Sequence, residues 1–245
     1  MIKSLFMELA SKTTPHGYEY LMEPFLPGCI KDSFGNYYRI VGDGNHNTMF
    51  TSHLDTYFDE ENSLSSNAPQ DVQLIDLGEQ VQTDCTSILG ADDRAGIALM
   101  ITMIKAGVPG LYAFFIGEEV GRLGSIHAAH HNEWKRLRKG IKNVISFDRK
   151  GCDSIITHQG INQTCSIEYA TALQSAFLKQ KMIMQLDEHG VGTDSLSFYE
   201  VNQNVNCTNI SVGYGNAHTS YEFQNIRHLE QLCKAALAID WNALV

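Results

Sequence analysis

The sequence predicts an α/β fold with three layers, in which a mostly parallel central sheet is covered by helices on both faces. Apolar segments of strand length alternate along the chain with longer segments of helical periodicity, a pattern typical of parallel sheets. Two of the short segments, 111–116 and 143–147, are almost continuously apolar, as in strands that are buried on both faces. A chain of 245 residues is long enough to bury a sizeable core as one such domain.

Hydrophobic periodicity and turn residues predict the individual elements. Gly35-Asn36 and Gly78-Glu79 have the composition of hairpin turns. In the first half of the chain, the predicted elements are a helix over 2–11, a hairpin over 30–41, a strand over 47–52, paired strands over 72–77 and 80–84, and a helix after Gly90. In the second half, they are strands over 111–116, 143–147, 153–157, 181–187 and 208–212, helices over 125–139, 168–178 and 225–241, and a short helix that starts at Gly192-Thr193-Asp194.

Composition and charge restrict the expected compartment and partners. The formal net charge is −10, from 18 Lys and Arg residues against 28 Asp and Glu residues, whereas nucleic-acid binding needs clustered basic residues. The N-terminus lacks the apolar core of a secretory signal, and no segment approaches the roughly 18 apolar residues of a membrane span. Six cysteines without CxxC spacing are typical of reduced thiols. We therefore expect a cytoplasmic protein that binds neither nucleic acid nor membranes.

Side chains of metal-binding types follow four of the predicted strands. In chain order, they are His53 and Asp55, Glu118 and Glu119, Asp148, and His218. Because the carboxyl ends of parallel strands form the ligand crevice of an open α/β sheet, we expect these side chains to converge there. Asp92 belongs to the same set, although the pair Asp92-Asp93 at a helix start is, taken alone, typical of an N-terminal cap.

Cations are needed to gather these groups in one crevice. The carboxylates of Asp55, Asp92, Glu118, Glu119 and Asp148 would otherwise repel one another or take up protons. Three ligand carboxylates and a bridging hydroxide would balance the charge of two Zn²⁺ ions. Histidine and carboxylate ligands without a thiolate fit a catalytic zinc site. Two adjacent glutamates cannot easily ligate one ion together. The simplest assignment is therefore that one of Glu118 and Glu119 is a metal ligand and the other is the general base.

Five short motifs carry a resemblance to a known family. They are His53-Leu54-Asp55-Thr56, Gly90-Ala91-Asp92-Asp93-Arg94-Ala95-Gly96, Gly117-Glu118-Glu119, Phe147-Asp148 and His218-Thr219-Ser220-Tyr221-Glu222-Phe223. In this order, the motifs resemble those of the co-catalytic di-zinc exopeptidases, a group that includes the peptidase T tripeptidases, the glutamyl aminopeptidases and acetylornithine deacetylase. The resemblance spans residues 13–223, which is most of the chain.

The resemblance implies two divalent metal ions, zinc with cobalt or manganese as alternatives, and a short peptide or small amide as substrate. It assigns Asp92 as the ligand that bridges both ions. His53 and Asp148 would complete one site, and Glu119 and His218 would complete the other. All five ligands would then come from loops at the ends of strands or from the start of a helix.

The resemblance also assigns roles beside the ligands. Glu118 would be the general base that deprotonates the bridging water and later protonates the leaving amine. Asp55 would hydrogen-bond His53 and fix its tautomer. The peptide bond between Asp92 and Asp93 would be cis, as is typical of the family.

Two departures from the family concern the size of this chain. Relatives such as peptidase T insert a lid or dimerisation domain between the Asp148 and His218 motifs, which here are only 70 positions apart (218 minus 148). The glutamyl aminopeptidases insert a smaller domain after the His-x-Asp motif, whereas residues 56–87 here have room for little beyond a hairpin. We therefore expect residues 1–245 to form a single catalytic domain. An oligomer is possible but would not be mediated by a lid.

These observations predict a zinc-dependent exopeptidase, in particular an aminopeptidase that uses a metal-bridged hydroxide and Glu118. A deacylase of N-acyl amino acids with the same metals is an alternative. A non-catalytic relative that only binds a ligand is a third possibility, but a binding module has no need of a base beside its metals. Arg149, Asp194 and Tyr214 adjoin the motifs and are candidate substrate contacts, although a structural role fits each of them equally well.

Overall fold

The computed structural model describes residues 2–44, 46–58 and 66–244 as an α/β structure built around one large sheet. Its strands are β1 (Ile30–Lys31), β2 (Tyr37–Val41), β3 (Thr48–His53), β4 (Leu74–Asp76), β5 (Gln80–Thr83), β6 (Gly110–Phe115), β7 (Asn143–Arg149), β8 (Ser154–Ile156), β9 (His158–Gln159), β10 (Asn162–Gln163), β11 (Gln185–Asp187), β12 (Asn206–Ser211), β13 (Tyr214–Gly215) and β14 (Phe223–Asn225). Its α-helices are α1 (Ile2–Ala10), α2 (Ala91–Ala106), α3 (Leu123–His130), α4 (Asn132–Leu137), α5 (Ile167–Lys179), α6 (Asp194–Val201) and α7 (Ile226–Ala238). Glu19–Phe25 and Trp241–Ala243 form 3₁₀ helices.

The main sheet has eight strands in the order β1-β2-β6-β3-β7-β12-β8-β11. Its centre is parallel, because β3 pairs in parallel with β6 and with β7, and β7 pairs in parallel with β12. Antiparallel pairs occur at β1–β2, β2–β6 and β8–β12, while β11 runs parallel to β8. The carboxyl ends of four central strands therefore lie along one edge of the sheet.

Helices cover both faces of this sheet, as predicted. On one face, α1, α2 and α7 pack together over a core that includes Phe50 and Phe147. On the other face, α3, α4 and α6 pack over Met49, Phe115 and Trp134. Adjacent residues of β3 thus point into different cores, which explains why the central strands are apolar throughout. The three-layer α/β prediction is confirmed.

A second, antiparallel sheet has the order β13-β14-β5-β4. The predicted hairpin of β4 and β5 is confirmed, but β5 pairs with β14 rather than with the main sheet. Thr83 donates its hydroxyl to the backbone carbonyl of Ser220 at 3.3 Å, which ties this sheet to the loop that carries His218. Within the segment 56–87, residues 59–65 lie outside the described part of the chain.

Two predicted elements are corrected by the structure. The helix expected over 125–139 is interrupted at His131, whose backbone is extended (φ −76°, ψ 143°), so that α3 and α4 are separate helices. The break accompanies burial of Trp134, which donates its indole N–H to Asp32 at 2.8 Å. The strand expected over 181–187 is shortened to β11, since Lys181 has a positive φ of 61° and residues 182–184 are not paired as a strand.

Two further observations concern the cysteines and the helices. All six cysteines are unpaired. Across the described residues, none of the helices is both long and apolar enough to cross a membrane. The short hairpin of β9 and β10 was not expected, since two-residue polar strands give no periodic signal.

Candidate metal centre

Three neighbouring strands of the main sheet deliver predicted ligands to the same edge. His53 is the last residue of β3, and Asp148 is the next-to-last residue of β7. Glu118 and Glu119 follow β6 after Gly117, whose φ of 64° turns the chain sharply. The parallel pairing of these strands therefore brings together residues that are far apart in the sequence.

Two groups of three side chains meet here and share Asp92. The ligand atoms of His53, Asp92 and Asp148 lie within 4.8 Å of one another, as do those of Asp92, Glu119 and His218. Nε2 of His53 is 3.0 Å from Oδ1 of Asp92 and 3.7 Å from Oδ1 of Asp148. Nε2 of His218 is 3.0 Å from Oε1 of Glu119 and 3.6 Å from Oδ2 of Asp92. Each oxygen of Asp92 thus faces a different group.

The tautomer of His53 is set by a hydrogen bond to the backbone. Nδ1 lies 3.0 Å from the carbonyl oxygen of Asp55, and since a carbonyl only accepts, Nδ1 carries the proton and donates it. The lone pair is then on Nε2, the nitrogen that faces the carboxylates. The Asp55 carboxylate lies 3.5 Å from Nδ1, and its two oxygens accept the backbone N–H groups of Glu118 and Glu119, each at 3.0 Å.

The two adjacent carboxylates at the start of α2 have different environments. The Asp92–Asp93 peptide bond is cis, which confirms the prediction. Asp93 is completely buried and accepts the backbone N–H of Gly96 at 3.0 Å and the hydroxyl of Ser52. The backbone of Asp92 and Asp93 is not helical, so Asp93 caps the regular turns of α2 that follow it, while Asp92 faces the two histidines.

Glu222 holds the loop that precedes α2. Its Oε2 accepts the backbone N–H groups of Leu89 at 2.9 Å and Gly90 at 2.8 Å, and its Oε1 accepts that of Asp92 at 3.1 Å. Burial, together with the charge of Asp92, raises the pKa of Glu222 to about 8. Glu222 belongs to the His218 motif, but the sequence gives no sign of this role, because the partners of Glu222 are backbone groups elsewhere in the chain.

His218 reaches the site from a loop and is supported by an aromatic ring. Its φ of 65° lies in the left-handed region, and its imidazole stacks on the Tyr57 ring with centroids 3.9 Å apart and planes 2° apart. The sequence placed Tyr57 next to the His53 motif but gave no sign of this contact. Tyr57 and Glu222 are therefore supporting residues that only the structure identifies.

The acidic groups of the site shift the pKa values of one another. Burial raises the pKa of Asp148 to about 6 and that of Glu119 to about 7, and the charge of Asp92 adds to both shifts. Burial opposes protonation of His218, but its hydrogen bonds to Asp92 and Glu119 raise its pKa to about 10. The histidine and carboxylate groups are positioned for metal binding.

Glu118 lines the same cleft but belongs to neither ligand group. Burial raises its pKa well above 4.5, and the charges of Asp148 and Asp194 add to this effect. A carboxyl group with a raised pKa that borders ligand-binding groups is suited to taking and giving a proton.

Arg149 and Tyr214 line the cleft, which has a volume of about 290 Å³. The guanidinium of Arg149 donates to Asp187 at 3.3 Å and to the carbonyl of His189 at 3.0 Å, so its charge is compensated within the fold. The hydroxyl of Tyr214 donates to the backbone carbonyl of Asp148 at 3.0 Å. Both side chains therefore have structural partners in addition to their exposure to the cleft.

Asp194, the third candidate substrate contact, does not line the cleft and is only 1% exposed. Burial raises its pKa to about 7, with the charge of Asp148 adding to the shift. Direct contact between Asp194 and a substrate, as expected from the sequence, would require this carboxylate to become exposed.

Comparisons with known proteins identify the fold. No family model matches this chain, and no curated protein sequence matches it. The aminopeptidase PepT from Bacillus cereus superposes with a TM-score of 0.72 at 17% identity, covering 97% of this chain and 96% of that chain. An aminopeptidase from the archaeon Desulfurococcus kamchatkensis gives 0.74 at 17% identity, over 99% of this chain and 95% of that one.

A third solved structure is the TET1 peptidase of Pyrococcus horikoshii, which can assemble into a tetrahedron or a large octahedral shell. It superposes with a TM-score of 0.74 at 17% identity, covering 98% of this chain and 100% of that chain. The chain therefore has the fold of these peptidases. Its chemistry has to be argued from its own residues.

Proposed function

We propose that this protein is an aminopeptidase that depends on two divalent metal ions. The observation that carries the proposal is the pair of three-residue groups that share Asp92, with Glu118 beside them. Imidazole nitrogens and carboxylate oxygens without a thiolate suit catalytic Zn²⁺, with Co²⁺ or Mn²⁺ as alternatives. The fold shared with solved aminopeptidases supports this class of reaction.

In this proposal, Asp92 would be a ligand of both ions. His53 and Asp148 would complete one site, and Glu119 and His218 would complete the other. The orientation of Nε2 in His53 supports this assignment, because the proton on Nδ1 is already engaged. When bound, the ions supply the Lewis acidity that activates water and polarises the substrate carbonyl.

Glu118 moves the proton in the proposed reaction. Its carboxylate takes a proton from the attacking water and later gives a proton to the leaving amine. The raised pKa of this side chain supports both steps, since burial makes the carboxylate a stronger proton acceptor than an exposed glutamate. Asp55 assists by fixing the backbone of Glu118 and Glu119 through its two carboxylate oxygens.

The variant Glu118→Gln tests this role. We expect turnover of leucine amide to fall by about 10³-fold, because general acid–base catalysis is removed. Elemental analysis should still find both zinc ions, since Glu118 is in neither ligand group. The control is Glu168→Gln, an exposed glutamate on α5, which should keep both activity and zinc. Retained turnover in Glu118→Gln would exclude it as the base.

The competing function, deacylation of N-acyl amino acids, would use the same metals. Hydrolysis of amino-acid amides with a free amine is compared with hydrolysis of the corresponding N-acetyl amino acids by the zinc-loaded protein. Preference for the free amine supports an aminopeptidase, whereas preference for the acetylated substrates supports a deacylase. Repeating the panel with Co²⁺ and Mn²⁺ identifies the most active metal.

We further propose that residues 1–245 act as one catalytic domain in the cytoplasm. Between Asp148 and His218, β8, β11 and β12 belong to the main sheet, which supports the absence of a separate lid in this segment. Unpaired cysteines support a reducing compartment. If the chain assembles as the Pyrococcus horikoshii peptidase can, it would do so through surfaces other than a lid. Light scattering of the purified protein measures its oligomeric state.

A further inference from the structure

We propose that Lys150 binds a carboxylate group of the substrate beside the candidate metal centre. This inference rests on the proposed function and states which substrates the site selects. It concerns a residue for which neither the sequence motifs nor the metal-ligand assignment requires any role.

Lys150 lies where two parts of the cleft meet. It follows β7 directly, two positions after Asp148, and it lines the cleft that contains Asp92 and Glu118. It also lines an adjoining outer cleft of about 700 Å³, which shares Tyr214 and His218 with the inner cleft. A substrate that extends outward from the metal ligands would therefore pass this side chain.

Among the residues that the structure describes, none forms an ion pair with Lys150. Its side chain is exposed. The neighbouring Arg149 differs, because its guanidinium is held by Asp187 and by the carbonyl of His189. Lys150 is thus the cation on this wall that remains available to a ligand.

The remaining charges of the cleft favour an anionic partner for Lys150. The acidic side chains that line the inner cleft are Asp92, Glu118, Glu119 and Asp148. Three of these are the proposed metal ligands, so bound cations would neutralise them. The outer cleft adds Asp153, whose carboxylate accepts a hydrogen bond from Gln185 at 2.9 Å, and Lys150 is the positive group between the two clefts. A carboxylate placed here would accept charge-assisted hydrogen bonds from the ammonium.

A peptide offers a carboxylate from two sources, namely an acidic side chain on its first residue or its own C-terminus. Two matched substrate pairs distinguish them. Glutamyl-anilide is compared with glutaminyl-anilide, which differ in side-chain charge, and Leu-Gly-Gly is compared with Leu-Gly-Gly amide, which differ in C-terminal charge. We expect the zinc-loaded protein to prefer the charged member of one pair by about tenfold in kcat/KM.

The variant Lys150→Gln should abolish this preference. We expect KM for the charged substrate to rise while kcat stays unchanged, because a contact far from the reacting bond stabilises the bound substrate and the transition state equally. Lys150→Glu should reverse the preference. The matched control is Lys142→Glu. Lys142 is also exposed but precedes β7, so it lies at the opposite end of the same strand, and its variant should keep the preference.

Binding without turnover separates this inference from the proposed function. Calorimetry measures the affinity of each substrate for zinc-loaded Glu118→Gln and for the same variant with Lys150→Gln added. If the charged member binds more tightly and Lys150→Gln removes this difference, the result supports the role of Lys150. This holds even if the protein hydrolyses none of the substrates, a result that would contradict only the proposed function. Equal affinity and equal turnover within both pairs, or a preference that survives Lys150→Gln, would overturn the role of Lys150.

Discussion

One hydrogen bond decides which nitrogen of His53 is available to a metal ion. The backbone carbonyl of Asp55 accepts the proton on Nδ1, so that Nε2 faces Asp92. The carboxylate of the same Asp55 accepts the backbone N–H groups of Glu118 and Glu119. Asp55 thus orients His53 through its backbone carbonyl and holds the backbone of Glu118 and Glu119 through its carboxylate. Asp55 acts through other residues and is a positioning residue.

Asp55→Asn should lower zinc affinity by about 10–100-fold, as expected when a partner that orients metal ligands is lost. An amide accepts only through its oxygen, so the N–H of either Glu118 or Glu119 would face an NH₂ donor. Calorimetric zinc titration measures the change. Asp71→Asn is the control, because the Asp71 side chain is 82% exposed and remote from the ligand groups. Wild-type zinc affinity in Asp55→Asn would contradict the positioning role.

The approach of α2 to β7 depends on Gly96. A Cβ at this position would lie 2.1 Å from the carbonyl oxygen of Phe147 and 2.5 Å from Oδ1 of Asp93. No larger residue fits without moving the helix away from the strand. Because Asp92 lies at the start of α2 and Asp148 lies near the end of β7, the same close contact sets the separation of two proposed ligands.

Gly96→Ala should therefore lower the free energy of unfolding by about 3 kcal/mol, the cost of forcing a methyl group into a packed contact. Urea unfolding measures this change, and zinc titration should show weaker binding in the same variant. Lys105→Ala, an exposed position near the end of α2, should stay within about 0.5 kcal/mol of wild type. Unchanged urea midpoints for Gly96→Ala would mean that the helix and strand can separate at no cost.

Negative charge is concentrated at the carboxyl edge of the main sheet, in a chain whose net charge is −10. In the metal-free protein, burial raises the pKa of Asp148 from 3.8 to about 6 and that of Glu119 from 4.5 to about 7. The folded chain therefore binds protons more tightly than the unfolded chain at these groups. His218, with a pKa raised from 6.5 to about 10, acts in the same direction at higher pH.

The stability of the metal-free protein should consequently fall as the pH rises from about 5 to 8. The contribution of Asp148 and Glu119 is fully present below pH 3.8 and 4.5, respectively, and is lost as the pH passes through about 6 and about 7. Zinc should stabilise the protein increasingly over the same range, because it binds the deprotonated ligands.

Urea unfolding at several pH values, with a chelator or with zinc, measures both trends. The chelator series should lose unfolding free energy with rising pH, and the difference between the two series should widen. A chelator series that gains stability between pH 5 and 8 would contradict the direction of these pKa shifts. A constant difference would argue against proton release on zinc binding.

The sequence was sufficient to predict the α/β class, the layers and most of the helices and strands. Hydrophobic periodicity and turn residues are properties of near neighbours in the chain, and they report which faces will be buried. The placement of His53, Glu118 and Asp148 after strands also follows from the sequence, since parallel strands end at one edge. The break at His131 was not predictable, because it accompanies burial of Trp134 against residues distant in sequence.

Only the tertiary structure decided which groups support the proposed ligands and which charges remain uncompensated. Glu222 finds its partners in the backbone of Leu89, Gly90 and Asp92, and backbone donors leave no trace in the residue types. Arg149 and Lys150 are adjacent cations in the sequence, yet Asp187 pairs with only the first. The physical reason is that periodicity encodes burial, whereas hydrogen bonds and ion pairs depend on distances between segments that only folding brings together.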